Sequence, residues 1–390
     1  MILYADISTL IDLPMLTGIQ RVTVELLSRL DKITDWDIKL LHYDLQKGNY
    51  RTVERSSFVH RYVSKEKGAK LIYLEETITF ERFLRGSIFL DIDSAWMSQV
   101  KRSFLLPILK RNGVKIVANI YDVIPINFPQ YCHQWTIFNF MEYIAAHLTY
   151  ADFFLANAQA TIDDLQELAM KINTPAIRGA VVPLGADFSS MRGYQLSEVD
   201  KTVVEITRKG KYILMVGTIE PRKNHKLLLE AFENFLTATP INIVFAGKIG
   251  WDMEEFEERL RKNPLKNKRI FQLENVDDIG IDFLYKNTFL LAFLSYSEGF
   301  GLPIIETFQK GAPVIASDMK VSREIAGDYC DYFKQDDAAA LADMIKKYLE
   351  NPEIRTERVH RIKEFPVVTW NDSAEIFKEK LISGVINEIG

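Results

Sequence analysis

Two doubly wound α/β domains are what this sequence predicts, and three observations carry the prediction. Short apolar runs alternate with amphipathic stretches, the pattern of strands and helices around parallel sheets. A polar stretch at 188–210, without strand character, interrupts the alternation, which then starts again. The chain has 390 residues, 47% hydrophobic and 26% charged, enough for two domains with cores of their own.

In the first half, residues 1–4 are the expected first strand. Ile19, Val22, Leu26 and Leu30 then recur at helical spacing behind Gly18. Further strands are expected at 87–90, 115–120, 153–156 and 180–182, and the turn at 183–187 closes this half. Beyond the polar stretch, strand 212–216 leads to helix 224–236, and strand 241–246 to helix 251–262. Strands at 271–273 and 289–294 follow, then a helix at 302–310 and a strand at 313–316. The expected domains are 1–190 and 205–370. Ligands of such sheets sit beyond the carboxyl ends of the strands, so the cleft between the two domains is the expected site.

Composition excludes several classes. A net charge of −5 argues against a surface devoted to nucleic acid, which is not expected as a partner. The two cysteines, Cys132 and Cys330, are far apart and form no C-x-x-C, so neither a disulfide framework nor a cysteine zinc site is expected. A reducing, cytoplasmic compartment fits that usage. The first residues lack a basic segment followed by an apolar run, and no run approaches eighteen apolar residues. Neither a secretory signal nor a membrane span is expected.

The most informative stretch is Ser295-Tyr-Ser-Glu298-Gly299-Phe300-Gly301-Leu302-Pro303-Ile-Ile-Glu306. It follows a buried strand and opens a helix, with Pro303 in the first turn, where a missing N–H costs nothing. Gly299 and Gly301 allow close backbone approach, and the N–H groups of a helix start suit a phosphate. Taken alone, this is a phosphate loop or an ordinary strand–helix turn; a dinucleotide G-x-G-x-x-G fails because Ile304 replaces the third glycine. A second turn, Gly217-Thr218-Ile-Glu220-Pro-Arg222-Lys223-Asn224-His225, sets two cations at another strand end. Arg grips phosphate oxygens bidentately and Lys adds a point charge. Two such loops in one domain favour the phosphate reading.

Together these elements resemble glycosyltransferase family 4, the retaining family of the GT-B fold. Its signature is two glutamates within E-G-F-G-L-P-x-x-E, here Glu298 and Glu306, followed by G-x-P-V-I-A-S at 311–317. The G-x-x-x-x-R-K turn at Gly217, Ala246-Gly247-Lys248 and Val276-Asp-Asp before Leu284-Tyr285 match as well. In the first half the likeness rests on Thr17-Gly18-Ile-Gln-Arg21, Tyr121-Asp122-Val-Ile-Pro125 and Val182-Pro-Leu-Gly-Ala-Asp187. The pattern is especially similar to transferases that build O-antigen and other bacterial surface polysaccharides, many of them mannosyltransferases. The resemblance implies two Rossmann-like domains facing across a cleft, with the helix at 371–390 returning to the first.

It also implies roles. Arg222 and Lys223 would hold the departing diphosphate, Glu306 the ribose, and Glu298 with the backbone of Phe300, Gly301 and Leu302 the sugar and distal phosphate. Asn275 and Val276 would flank the base. Gly18, Gly217, Thr218, Gly247 and Gly299 complete the donor set, and Asp122, Lys223 and Glu298 are the catalytic candidates. The chain departs from the family at Thr218, where many members carry Arg, and at Tyr121, where many carry His. Lys223 is then the firmer cation, and Asp122 the polar group facing the reacting carbon from the first domain. The implied reaction is transfer with retention of a hexose, mannose from GDP-mannose, onto a growing or lipid-linked glycan. Alternatives are a UDP-sugar or deoxysugar transferase of the same fold, an epimerase, and a silent partner subunit; the joint presence of Lys223, Glu298 and Glu306 opposes the last.

Asp91-Ile-Asp93 mimics a D-x-D metal motif, but the Arg222/Lys223 turn already brings positive charge to the diphosphate, so no metal or other cofactor is expected. Asp93 and Trp96 are read instead as lining the acceptor side, with Arg21 and Tyr121. The scattered histidines form no H-x-x-x-H. Between 47 and 70, seven cations (Lys47, Arg51, Arg55, Arg61, Lys65, Lys67 and Lys70) stand against Glu54 and Glu66. Lys101, Arg102, Lys110, Arg111 and Lys115 flank Phe104-Leu-Leu106. Both clusters are read either as solvated surface or as attraction to an anionic membrane face or a pyrophosphate-linked acceptor.

Overall fold

A computed structural model describes residues 1–13, 18–66, 68–187 and 195–388. Thr17, Lys67 and residues 188–194 of the polar stretch lie outside the described residues. The chain divides into two compact units: Met1–Gly185 with Val368–Gly390, and Ala186–Val367.

Among the described residues the first unit holds an eight-stranded sheet. Its strands are β1 (Ile2–Asp6), β2 (Asp37–Asp44), β3 (Asn49–Val53), β4 (Tyr73–Ile78), β5 (Ile88–Asp91), β6 (Lys115–Ile120), β7 (Phe153–Ala156) and β8 (Gly179–Val181). The order is β4-β3-β2-β1-β5-β6-β7-β8. From β2 to β8 neighbours run parallel, while β3 and β4 extend the sheet antiparallel. The central strands β5 and β7 are buried along their whole length, as strands covered on both faces must be. β2–β4 are absent from the sequence-based expectation because charges interrupt their apolar residues. Four of the six residues of β4 are exposed, a guarded sheet edge.

The helix Gly18–Ile33 follows the expected periodicity, burying Val22, Leu26, Leu27 and Leu30 on one face. The helix Trp370–Gly384 packs on it. Trp370 is fully buried, Ser373 donates to the Pro183 carbonyl at 2.6 Å, and Arg29 Nε donates to Asn371 at 2.9 Å. A Cβ on Gly185 would stand 2.3 Å from the backbone nitrogen of Trp370, so only glycine lets the 183–187 turn lie there.

One expectation is corrected here. Arg102, read as part of a surface basic cluster, is wholly buried. Its guanidinium bonds Asp91 at 2.5 and 2.9 Å and Asp6 at 2.8 Å, at the carboxyl ends of β5 and β1. Burial pushes the Asp91 carboxyl up, but Arg102 outweighs it and holds the group well below the ordinary carboxylate range.

The second unit holds, among the described residues, β9 (Tyr212–Val216), β10 (Asn242–Ala246), β11 (Ile270–Leu273), β12 (Leu290–Phe293), β13 (Val314–Ser317) and β14 (Asp331–Phe333). Their order is β11-β10-β9-β12-β13-β14, with every neighbouring pair parallel. Residues 201–208, part of the stretch read as polar connection, form a helix capped by Asp200. Its Val203, Val204 and Ile206 are buried, and it packs on the helix Asp278–Asn287.

Candidate functional site

Strand order decides where the second unit can bind. From β9 the chain moves outward to β10 and β11, then crosses to β12 and proceeds the other way. The order therefore reverses between β9 and β12. Loops leaving neighbouring strands in opposite directions open a crevice beyond their carboxyl ends, the usual ligand position in such sheets. The two informative loops are those that leave β9 and β12.

They meet through charge. Glu298 receives Lys223 Nζ at 2.8 Å on one carboxylate oxygen and Arg222 at 2.8 Å on the other. Ser295 Oγ donates to the same carboxylate at 2.7 Å, and Glu220 holds Arg222 from the opposite side at 2.7 Å. The backbones are tied as well: Tyr296 N–H donates to the Arg222 carbonyl at 2.8 Å, and the Arg222 guanidinium donates to the Ser297 carbonyl at 2.6 Å. Burial pushes the Glu298 carboxyl up, but Arg222 and then Lys223 overcome it and hold it down at about 2. Glu298 is thus ionised, and both cations are pre-positioned beside it.

Backbone geometry explains the glycines. Gly217 has φ +122° and Gly301 φ +118°, conformations that side chains rarely adopt. A Cβ on Gly247 would fall 1.9 Å from the Gly217 carbonyl oxygen, so the ends of β9 and β10 touch through bare backbone. Gly301 caps the helix Leu302–Gln309, with Pro303 in its first turn as expected. Gly299, Phe300 and Leu302 lie on this loop and helix start, and Thr218 on the turn after Gly217. Glu306 lies one turn inside the helix, buried, and accepts from the Tyr285 hydroxyl at 2.8 Å. Asn275 and Val276 follow β11 at the same edge of the sheet, Asn275 exposed in a left-handed conformation.

Sequence reasoning missed His225, one residue past the Lys223–Asn224 pair. It is buried between Phe245 and Phe256, and among the described residues neither ring nitrogen has a partner. Burial, assisted by Lys223, lowers its pKa to about 3, so it is neutral at ordinary pH. Its position between Asn224 and Lys226 gave no sign of burial.

The remaining candidates belong to the first unit. Asp122 follows β6, half-buried, and accepts from the Ile124 N–H at 2.9 Å. Tyr121 is buried, with its hydroxyl donating to the Ile92 carbonyl at 2.5 Å. Gly18 is exposed at a helix start, and Arg21 stands 5.9 Å from the Trp370 ring centre. Asp93 corrects the acceptor reading: it is 1% exposed and bonded to Gln20 at 3.1 Å, Ser94 N–H at 2.7 Å and Leu10 N–H at 2.5 Å. Such a carboxylate fastens the ends of β1 and β5, the reversal point of the first sheet, instead of lining an open surface. Trp96 is half-buried edge-on to Phe140 and Tyr143. In the basic clusters, Arg55 pairs with Asp31, and Lys110 and Lys115 with Asp152. Among the described residues no helix is long and apolar enough to cross a membrane.

Residues 197–365 match the glycosyl transferases group 1 family. Over 97% of its length the chain is 27% identical to a serotype-specific mannosyltransferase, WbdA of Escherichia coli, of which it spans only 46%. The chain thus spans about half the length of such relatives. Over 38% of the chain it is 31% identical to O-antigen chain mannosyltransferase B of Escherichia coli, covering 40% of that protein. Among solved structures it is similar to Anabaena Alr3699/HepE in complex with UDP, with a TM-score of 0.66, 15% identity, and 98% and 99% of the two chains covered. Both units thus take the α/β arrangement of GT-B glycosyltransferases.

Proposed function

We propose that this chain moves a hexose from a nucleotide-diphosphate sugar onto a growing surface glycan, with retention and without a metal, a reading supported by the match of residues 197–365 to the group 1 glycosyl transferases. The observation that carries the reading is the Arg222–Glu298–Lys223 cluster at the reversal point of the second sheet. A departing nucleoside diphosphate gains charge as the glycosidic bond breaks. Cations already fixed by Glu298 stabilise that charge without reorganising, and so act on the transition state more than on the bound donor. Glu298 carries the sugar-side contact and Glu306 the ribose, and Asp122 is the catalytic candidate of the first unit. Mannose from GDP-mannose is the proposed donor, supported by mannosyltransferases recurring among the relatives.

Turnover of GDP-mannose, with UDP-sugars in parallel, tests the proposal. Lys223→Ala is expected to lose about 100-fold or more in kcat. Glu298→Ala is expected to remove most transfer and, by loosening Arg222 and Lys223, to weaken bare GDP less than Glu306→Ala, which weakens it by about 1.5–3 kcal/mol. Activity is expected to persist in EDTA. Equal weakening of GDP by both glutamate variants would refute the division of labour, and complete, reversible loss in EDTA would refute metal-free transfer. Contact with an anionic membrane surface, supported by cations such as Arg51 and Arg61, belongs to the same reading. Liposome binding indifferent to anionic lipid and to charge reversal at Arg51, Arg55 and Arg61 would remove it.

A further inference from the structure

The second sheet has another edge. Lys211 immediately precedes β9 and Phe289 precedes β12, so both stand at the amino ends of the strands, opposite the loops described above. Here the helices Ala338–Glu350 and Pro352–Ile362 line, with the sheet edge, a partly open cavity of about 370 Å³. That volume lies within the roughly 300–1,000 Å³ range of small-molecule sites. Leu349, Pro352 and the rings of Phe289 and Tyr348 supply apolar wall, and Lys211 and Arg355 supply charge.

Lys211 is exposed and Arg355 half-buried. Lys211 Nζ and the Arg355 guanidinium each stand 5.0 Å from the centre of the Phe289 ring. Arg355 Nε donates to the Phe289 carbonyl at 3.2 Å, which fixes its plane. Among the described residues neither cation has a carboxylate partner. The nearby acid Asp331 is already committed, bonded to the Tyr348 hydroxyl and paired with Arg358. Arg355 is half-buried, and burial lowers its pKa. A ring face compensates the half-buried Arg355 only in part, whereas a phosphate would give it a charge-assisted hydrogen bond, with the exposed Lys211 as a second donor.

We propose that this cavity binds a small phosphate-bearing molecule, its phosphate held by Lys211 and Arg355 and its body against the apolar wall. The site is separate from the Lys223 turn and does not depend on which donor that turn accepts. Calorimetry on the full chain, saturated with nucleoside diphosphate, tests it with three probes: inorganic phosphate, a hexose 6-phosphate and the uncharged hexose. The hexose phosphate is expected to bind and the bare hexose not to. Free phosphate binding as tightly as the hexose phosphate would overturn the part given to the apolar wall. Lys211→Gln and Arg355→Gln are each expected to weaken the probe about tenfold, with unchanged melting in its absence, and Arg355→Lys to recover part of the loss. Lys223→Ala is expected to leave probe affinity untouched. The proposal fails if no phosphate probe binds, if the Lys211→Gln/Arg355→Gln pair binds normally, or if binding disappears with Lys223→Ala.

Discussion

Glu298 is largely enclosed, yet its carboxyl is held at about 2, against an ordinary value of 4.5. The sign of the consequence follows from linkage. Above about pH 4.5 the group is ionised in both folded and unfolded chains, and its pairing with Arg222 and Lys223 contributes in full. As pH falls from 4.5 towards 2, the unfolded chain takes up a proton that the folded chain still refuses, so the contribution is lost. Glu298→Gln cannot titrate. The unfolding free energies of wild type and Glu298→Gln are therefore expected to converge by up to about 3 kcal/mol between pH 5 and pH 2. Denaturant titrations across that range measure the difference. His225, with its pKa at about 3, also makes the fold acid-sensitive, but it is present in both proteins and largely drops out of the comparison. A pH-independent gap would mean that the two cations do not hold the carboxylate.

At the scale of elements, the site depends on two strand ends that touch without side chains. The Gly217 carbonyl lies where a Cβ of Gly247 would be, at 1.9 Å, and Gly217 itself faces the Lys223 side chain, with a Cβ position 3.1 Å from Cε. Gly247→Ala must therefore push the turn after β9 away, and the cations with it. Gly311 has φ +72° and open space around it, so Gly311→Ala carries only the left-handed backbone cost of about 1–2 kcal/mol. Gly247→Ala is expected to lose nucleotide affinity far beyond Gly311→Ala; equal affinities in calorimetry would show that the turn tolerates displacement. Each loop was legible in the sequence, because glycines, a proline and adjacent cations at strand ends have local causes. Their meeting was not. Lys223 and Glu298 are 75 residues apart, and only strand order brings them together. The same limit hid Arg102, whose neighbour Lys101 is exposed while it is buried, and β2–β4, whose charges mask a strand pattern. Parallel strands covered on both faces, such as β10 and β12, read plainly as apolar runs.

At the scale of the whole molecule, the first unit is finished by the last helix. Residues 1–185 build the sheet, and the chain must pass through the entire second unit before Trp370–Gly384 returns to cover the helix Gly18–Ile33. Trp370 has no exposed surface, and the Gly185 turn is fitted against its backbone. Replacing a buried tryptophan by alanine costs about 3–5 kcal/mol, because the transfer of the ring is lost and a cavity remains. Trp370→Ala is expected to take that stability from the first unit alone, since the second keeps its own core around β9, β10 and β12. Native-state hydrogen exchange distinguishes the units directly. In the variant, amides of the helix Gly18–Ile33 and of β1 and β5 should exchange through a lowered opening free energy, while those of β9 and β10 keep their wild-type protection. Equal loss of protection in both units would show that they unfold as one cooperative body. Loss confined to the last helix would show that the first sheet is stable without its cover.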